Sequence, residues 1–367
     1  MPDVLIFGDT IRSPELRHEV PIAVPDPFVY VERNGTRTAF VGSLELPRLS
    51  DIAGLEAVPL EELGLDELVA EGLTWHEMTT ELVLRACRSS QLQSAVTPRD
   101  FPLEVADYLR ANAIDVKARG ELFDSRRRVK TEPELAGIRR ALRASERAYD
   151  AIRARLRKGA PVTCEELQAE AMRVFSDEGV LVDDRPLISS GAATTVGHEP
   201  GSGPIAEGEP IVADLFSRDP ISGCYSDMTR TFCLGEPPEE LVRYHALVRE
   251  ALDLAYATIR PGVRGSEAHR VVCELFEAHG YRTQLSKEPG EVLEEGFFHS
   301  LGHGVGLEVH ELPSLGRVGE EIVAGDVLAV EPGLYRTGFG GCRLEDLVLV
   351  TEDGCEVLAD HPYELAL

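Results

Sequence analysis

A chain of 367 residues that is 43% hydrophobic is long enough for two domains and apolar enough to give each a core, which excludes a largely disordered protein. Its formal net charge of -27, from 64 acidic against 37 basic residues, repels phosphate backbones and anionic bilayers, so neither nucleic acid nor a membrane surface is an expected partner. No run of 18 apolar residues occurs, and MPDVLIFGDT lacks the basic start and long apolar stretch of a secretory leader.

In chain order, residues 1–126 read as a small α/β domain. PFVYVE and TAFVG flank Arg33-Asn34-Gly35, and an Asn-Gly pair between two strand-like runs is a strong hairpin signal. A helix is predicted over 103–113 after Pro102, followed by the strand-like IDVKA. Near residue 127 the character changes. Thr131-Glu132-Pro133-Glu134 forms a capping box with proline in the first turn. Leu135, Ile138, Leu142, Ser145, Tyr149, Ile152 and Leu156 then recur at three- and four-residue spacing, so a long amphipathic helix opens a second domain, 127–367. Thr163-Cys164-Glu165-Glu166 caps another helix ending at Gly179, and helices also fit 239–259 and 266–279. Strand-like runs lie around 211–216, 224–234, 327–335 and 342–351. The mixture predicts α+β architecture, with strands collected into a sheet and helices on one face. The seven cysteines are scattered and form no C-x-x-C, so neither a disulfide framework nor a thiolate zinc site is indicated and a reducing, cytoplasmic setting fits.

Two segments share a pattern. Gly208 and Gly325 each precede an apolar stretch that reaches a carboxylate six residues on, Asp214 and Glu331. After each comes a turn and a second strand-like run with another carboxylate, Asp227 or Glu345. The offsets, 331 minus 214 and 345 minus 227, are 117 and 118. Two such hairpins suggest an ancient duplication, with chance similarity of short apolar runs as the alternative.

Asp214 lies inside IVADLF and Glu331 inside VLAVEPG, mostly apolar runs in which an isolated ionised carboxylate is very costly unless paired or bound to metal. In YSDMTRTF, period-two alternation puts Tyr225, Asp227, Thr229 and Thr231 on one face. In CRLEDLVL, Arg343 and Glu345 share a face and Asp346 points the other way. Pairing with Arg230 or Arg343 neutralises one carboxylate each, not four. His299, His303 and His310 fall within twelve residues of a chain with only ten histidines. Glycines at 302, 304 and 306 allow close backbone approach beside them. Four carboxylates and one imidazole suffice for two divalent cations with shared ligands and a bridging water. Oxygen-dominated ligation suits manganese, with cobalt, zinc or iron as alternatives. The chemistry this implies is metal-assisted hydrolysis of an amide-like bond.

In order along the chain, D…YSDMTRTF, HSLGHGVGLEVHE, VEPGLY and RLED resemble the creatinase/aminopeptidase, or pita-bread, family, above all its proline-specific members, the Xaa-Pro dipeptidases and aminopeptidase P. The resemblance covers residues 127–367 and implies a pseudo-twofold duplicated sheet. It implies that Asp214 chelates one metal, that Asp227 and Glu345 bridge both, and that His303 and Glu331 complete the other. Glu331 would also relay a proton from the bridging water to the leaving nitrogen. His299, His310 and His198 match histidines that orient substrate, one of them stabilising the developing oxyanion. Arg343 matches an arginine near the substrate's proline side, and Tyr225 a position beside the metals, with packing as its alternative role. Methionine aminopeptidases generally lack the counterpart of His299 and a large N-terminal domain. Creatinase lacks the complete metal set. The implied protein is a homodimer with two divalent metals acting on proline-containing dipeptides or peptides. The rivals are a hydrolase or lyase of a small non-peptide substrate on the same scaffold and a non-enzymatic binding protein. The N-terminal domain has no clear match to the family's YLTGF-like segment.

Gly201-Ser202-Gly203-Pro204 is no dinucleotide motif, since proline and a strand follow where a helix is required. Arg126-Arg127-Arg128-Val129-Lys130 reads as a domain junction.

Overall fold

In the computed structural model, which describes residues 2–367, the chain divides after Arg127 into two compact units. The first holds a six-stranded mixed sheet in the order Leu55–Pro59, Thr36–Val41, Phe28–Arg33, Val4–Gly8, Ser94–Thr97, Asp115–Ala118. Val4, Leu5 and Ile6 are all buried because alternate side chains enter separate cores on the two faces. The predicted hairpin forms. Asn34 and Gly35 take φ of 53° and 83°, the two left-handed conformations that a two-residue turn between twisted strands needs.

The second unit builds one pattern twice: two helices, then a bent hairpin. In the first half, helices Glu132–Leu156 and Cys164–Glu178 precede strands Pro210–Asp214 and Thr229–Cys233. Both helices carry the predicted capping box, worth about 1 kcal/mol each, and Gly179 ends the second at φ 70°. Tyr149, Ile152, Leu167 and Phe175 share a core with Ile211, Ala213, Met228 and Phe232 of the hairpin. In the second half, helices Glu239–Thr258 and Gly265–Ala278 share a core with Leu328, Val330, Leu334, Cys342 and Val348. Those residues belong to a hairpin in which Val327–Val330 pairs with Asp346–Val350, and Gly333–Arg336 with Gly340–Arg343.

Two expectations change. The strands of this unit form three sheets, not one: Leu187–Ser190 joins the first hairpin, and the second hairpin is divided between the other two. The division falls at Glu331-Pro332, where proline has no N–H to give a ladder. The strand expected over 224–234 also shrinks to Thr229–Cys233. Tyr225 instead donates its N–H to Gly306 O, so period-two alternation does not run through Asp227. No helix among the described residues is long and apolar enough to cross a membrane.

Candidate metal centre

Each hairpin presents carboxylates where its pairing is interrupted. Asp214 ends its strand opposite Thr229, and Asp227 lies just before that partner strand. Glu331 directly follows Val330, and Glu345 directly precedes Asp346. The Tyr149 hydroxyl, buried on the long helix, lies 2.9 Å from Ala213 O and 2.5 Å from Met228 O. It thus pins the residue before Asp214 and the one after Asp227. The two hairpins meet edge to edge: Glu345 N–H donates to Thr229 O (3.0 Å), and the Thr231 hydroxyl donates to Arg343 O (2.8 Å).

His303 lies on Gly302–Gly304, a short strand held between Glu311–Leu315 and Val327–Val330. A Cβ at Gly302 would stand 1.9 Å from Ala329 O, and one at Gly304 2.3 Å from Leu312 O. Only glycine lets three strands come this close around the histidine. Glu331 N–H donates to Leu301 O (2.8 Å), which brings His299 Nδ1 to 3.9 Å from the Glu331 carboxylate.

The structure gathers the predicted residues around one cavity of ≈ 410 Å³, lined by Asp214, Asp227, Glu331, Glu345 and His303 together with His198, His299, His310 and Arg343. His303 Nε2 is 3.8 Å from both Asp227 and Glu331. Potential ligand atoms of Asp227, His303 and Glu345 all lie within 4.8 Å of one another. Arg343 donates to Asp214 Oδ2 at 2.6 Å and through Nε to the Thr229 hydroxyl at 3.2 Å, while Thr229 donates to Glu345 Oε2 at 2.6 Å. Tyr225 is not among the residues lining the cavity. Its hydroxyl bonds Asp183, and it packs beside Val305, so the expected place beside the metals gives way to a packing role.

Burial governs the electrostatics. It pushes the Asp227 and Glu345 carboxyls well up, reinforced by neighbouring carboxylates, and it raises Asp214 despite the ion pair with Arg343. Glu331 is pushed up to about 7, again by burial first. The histidines move the opposite way for the same reason, His303 to about 4 and His299 to about 3, so both are neutral near pH 7. Nδ1 of His303 faces Gly304 O at 3.1 Å, which leaves Nε2 with its lone pair toward the carboxylates, the ligand form.

These groups fit divalent cations. Asp214 Oδ1 is buried without a hydrogen-bond partner, and the single positive charge of Arg343 is too little to let four buried carboxylates of raised pKa ionise together around a neutral imidazole. Sequence reasoning missed Tyr335 and Phe298, which also line the cavity. The Tyr335 hydroxyl lies 3.0 Å from His299 Nε2, and the two aromatic rings lie 5.1 Å apart. The tyrosine of VEPGLY carries no local sign of its partner, which lies 36 residues away in the chain.

A buried, carboxylate-rich centre on a duplicated α+β scaffold defines a metallohydrolase type of site. Residues 136–352 match metallopeptidase family M24, more than half of the chain, and the protein belongs to that family. It is 30% identical over 326 residues to the probable dipeptidase PepE of Mycobacterium bovis, covering 87% of this chain and 81% of that one. It is 29% identical over 262 residues to the Xaa-Pro dipeptidase of Pyrococcus furiosus, covering 70% of each. Among solved structures, the Xaa-Pro dipeptidase from Bacillus anthracis superposes with a TM-score of 0.82 at 23% identity, covering 100% of this chain and 95% of that one. The fold is therefore the prolidase-like, pita-bread one: a small N-terminal α/β domain and a catalytic domain with several antiparallel sheets.

Proposed function

We propose that the second unit is a metal-dependent peptidase that cleaves the bond in front of proline, in dipeptides or at the start of longer peptides. The observation that carries this reading is the convergence of Asp214, Asp227, His303, Glu331 and Glu345 on one cavity, in a family member similar to an Xaa-Pro dipeptidase. In this reading Asp214, Asp227, His303, Glu331 and Glu345 would hold two divalent cations between them. Manganese suits so oxygen-rich a donor set, with cobalt, zinc or iron as alternatives. Bound there, the cations supply Lewis-acid polarisation of the scissile carbonyl and acidify water.

The chain's own residues do the rest. Glu331, raised to about 7, takes a proton from the attacking water and delivers it to the leaving proline nitrogen. His299 has both ring nitrogens engaged, by Ser300 O at 2.8 Å and the Tyr335 hydroxyl at 3.0 Å, so it orients Tyr335. His310 and His198, which line the same cavity, are left as donors to the carbonyl oxygen as it turns anionic. Arg343, anchored on Asp214, presents its remaining edge to the proline side of the substrate. The reading includes a homodimer in the cytoplasm; seven free cysteines support a reducing compartment.

The test is hydrolysis by chelator-stripped protein with and without manganese, on Ala-Pro, a longer peptide beginning Ala-Pro, and Ala-Ala. Manganese-dependent cleavage confined to the proline substrates is expected, and the dipeptide-to-peptide ratio separates dipeptidase from aminopeptidase. A folded, metal-loaded protein that cleaves none of them overturns the reading and points to a small non-peptide substrate.

A further inference from the structure

Next to Glu345 lies a second buried polar cluster that takes no part in the proposed chemistry. Asp346 and Arg230 are almost wholly buried, at 0% and 1% exposure, and paired at 2.8 Å. The other N–H groups of Arg230 are engaged as well. They reach the carbonyls of Glu345 (2.8 Å), Thr229 (3.0 Å), His361 (2.9 Å) and Pro362 (3.3 Å). Arg230 therefore grips the backbone of the two residues whose side chains meet in the site, Thr229 and Glu345.

The outer half of this clamp comes from segment 361–367. The Tyr363 ring lies 4.3 Å from the Arg230 guanidinium, and its hydroxyl donates to Asp346 Oδ2, which also accepts from Tyr256 at 2.8 Å. Burial and the Asp346 carboxylate push both phenols up, so both remain donors. The segment then pairs with the first hairpin: Cys233 N–H donates to Leu365 O (2.7 Å), and Leu367 N–H to Cys233 O (3.1 Å). Glu364 of the same segment turns outward to Arg153 and Arg157.

We infer that Arg230, Asp346 and Tyr363 are positioning residues through which segment 361–367 fixes Glu345 against Thr229 and sets how tightly the centre holds its cations. The inference rests on the proposed metal site. A buried ion pair is costly to form and costlier to break, so one whose every partner is present specifies geometry. Here the geometry it specifies is the backbone of a carboxylate assigned to the cations.

The experiment titrates manganese into chelator-stripped parent, Tyr363→Phe, Asp346→Asn and Glu364→Gln proteins, following free manganese by electron paramagnetic resonance. Tyr363→Phe keeps the ring and removes one hydroxyl. We expect it to weaken manganese binding several-fold, less than the roughly 10-fold lower end for losing a direct partner of a metal ligand because Tyr363 acts on Glu345 only through Asp346 and Arg230, with near-UV circular dichroism retained. Asp346→Asn is expected to weaken it at least as much, and Glu364→Gln not at all. If Asp346→Asn does not fold, Tyr363→Phe decides. Parental affinity in folded Tyr363→Phe overturns the inference, and so does an equal loss in Glu364→Gln. Because the readout is metal and not turnover, a parent that binds manganese but cleaves no Xaa-Pro peptide overturns the proposed reaction alone. A parent that binds no divalent cation overturns both.

Discussion

Glu331→Gln tests the proton relay, with bound metal measured alongside because the same carboxylate is assigned to a cation. Glutamine matches glutamate in volume, and the backbone N–H of this residue keeps its bond to Leu301 O at 2.8 Å whichever side chain follows. The side chain is approached by His303 Nε2 at 3.8 Å, His299 Nδ1 at 3.9 Å and Arg343 Nε at 3.9 Å, contacts that a neutral amide can keep without clash. What it cannot keep is a negative charge and a proton acceptor that burial has brought to about 7. General acid–base catalysis contributes roughly 10²–10⁴ in rate, so kcat should fall by that factor, about 3–5 kcal/mol of barrier. The assay is initial-rate hydrolysis of Ala-Pro at saturating manganese, with bound metal measured in the same samples. A variant with full metal occupancy and kcat within about tenfold of the parent would refute the relay, because such a residue then supplies too little to be the base.

His303→Ala removes the one nitrogen donor assigned to the cations and should weaken manganese binding by more than roughly 100-fold, beyond the effect of losing an outer partner; two metals still tightly held in a titration would remove His303 from the ligand set. Manganese affinity should fall as pH drops below about 7, because the metal-free site holds a proton on Glu331 that binding must release. Burial raises the Asp227 and Glu345 carboxyls as well, so protons compete with the cation as pH falls, affinities measured from pH 5.5 to 8 should rise with pH, and a flat profile contradicts the assignment. Tyr149→Phe removes the hydroxyl shared by Ala213 O and Met228 O, the latter still accepting from Leu215 N–H, and should cost about 0.5–1.5 kcal/mol in denaturant unfolding; an unchanged midpoint would show that the hairpin does not depend on it.

Much of the local structure was legible because its causes are local. Thr131 and Thr163 cap their helices through bonds to residues three positions on, and Gly179 stops a helix through its own φ. Asn34-Gly35 turns because both residues tolerate positive φ, whatever surrounds them. Asp214 and Glu331 could be singled out as well, since a carboxylate inside an apolar run contradicts burial unless something charged answers it. Long-range pairing is a different matter. The sequence allowed Arg230 and Arg343 each to neutralise one site carboxylate, but only the packing of the two hairpins assigns Arg343 to Asp214 and turns Arg230 away to Asp346. Tyr225 lies near Asp227 in the chain yet bonds Asp183, because the strand that would have carried both residues on one face begins only at Thr229. Tyr335 reaches His299 across 36 residues. The sequence by itself determined where helices start, where hairpins turn and which carboxylates interrupt apolar runs, since each depends on a few neighbouring residues. Which side chains meet was decided by the tertiary structure, because two hairpins about 117 residues apart must pack before any of these contacts exists.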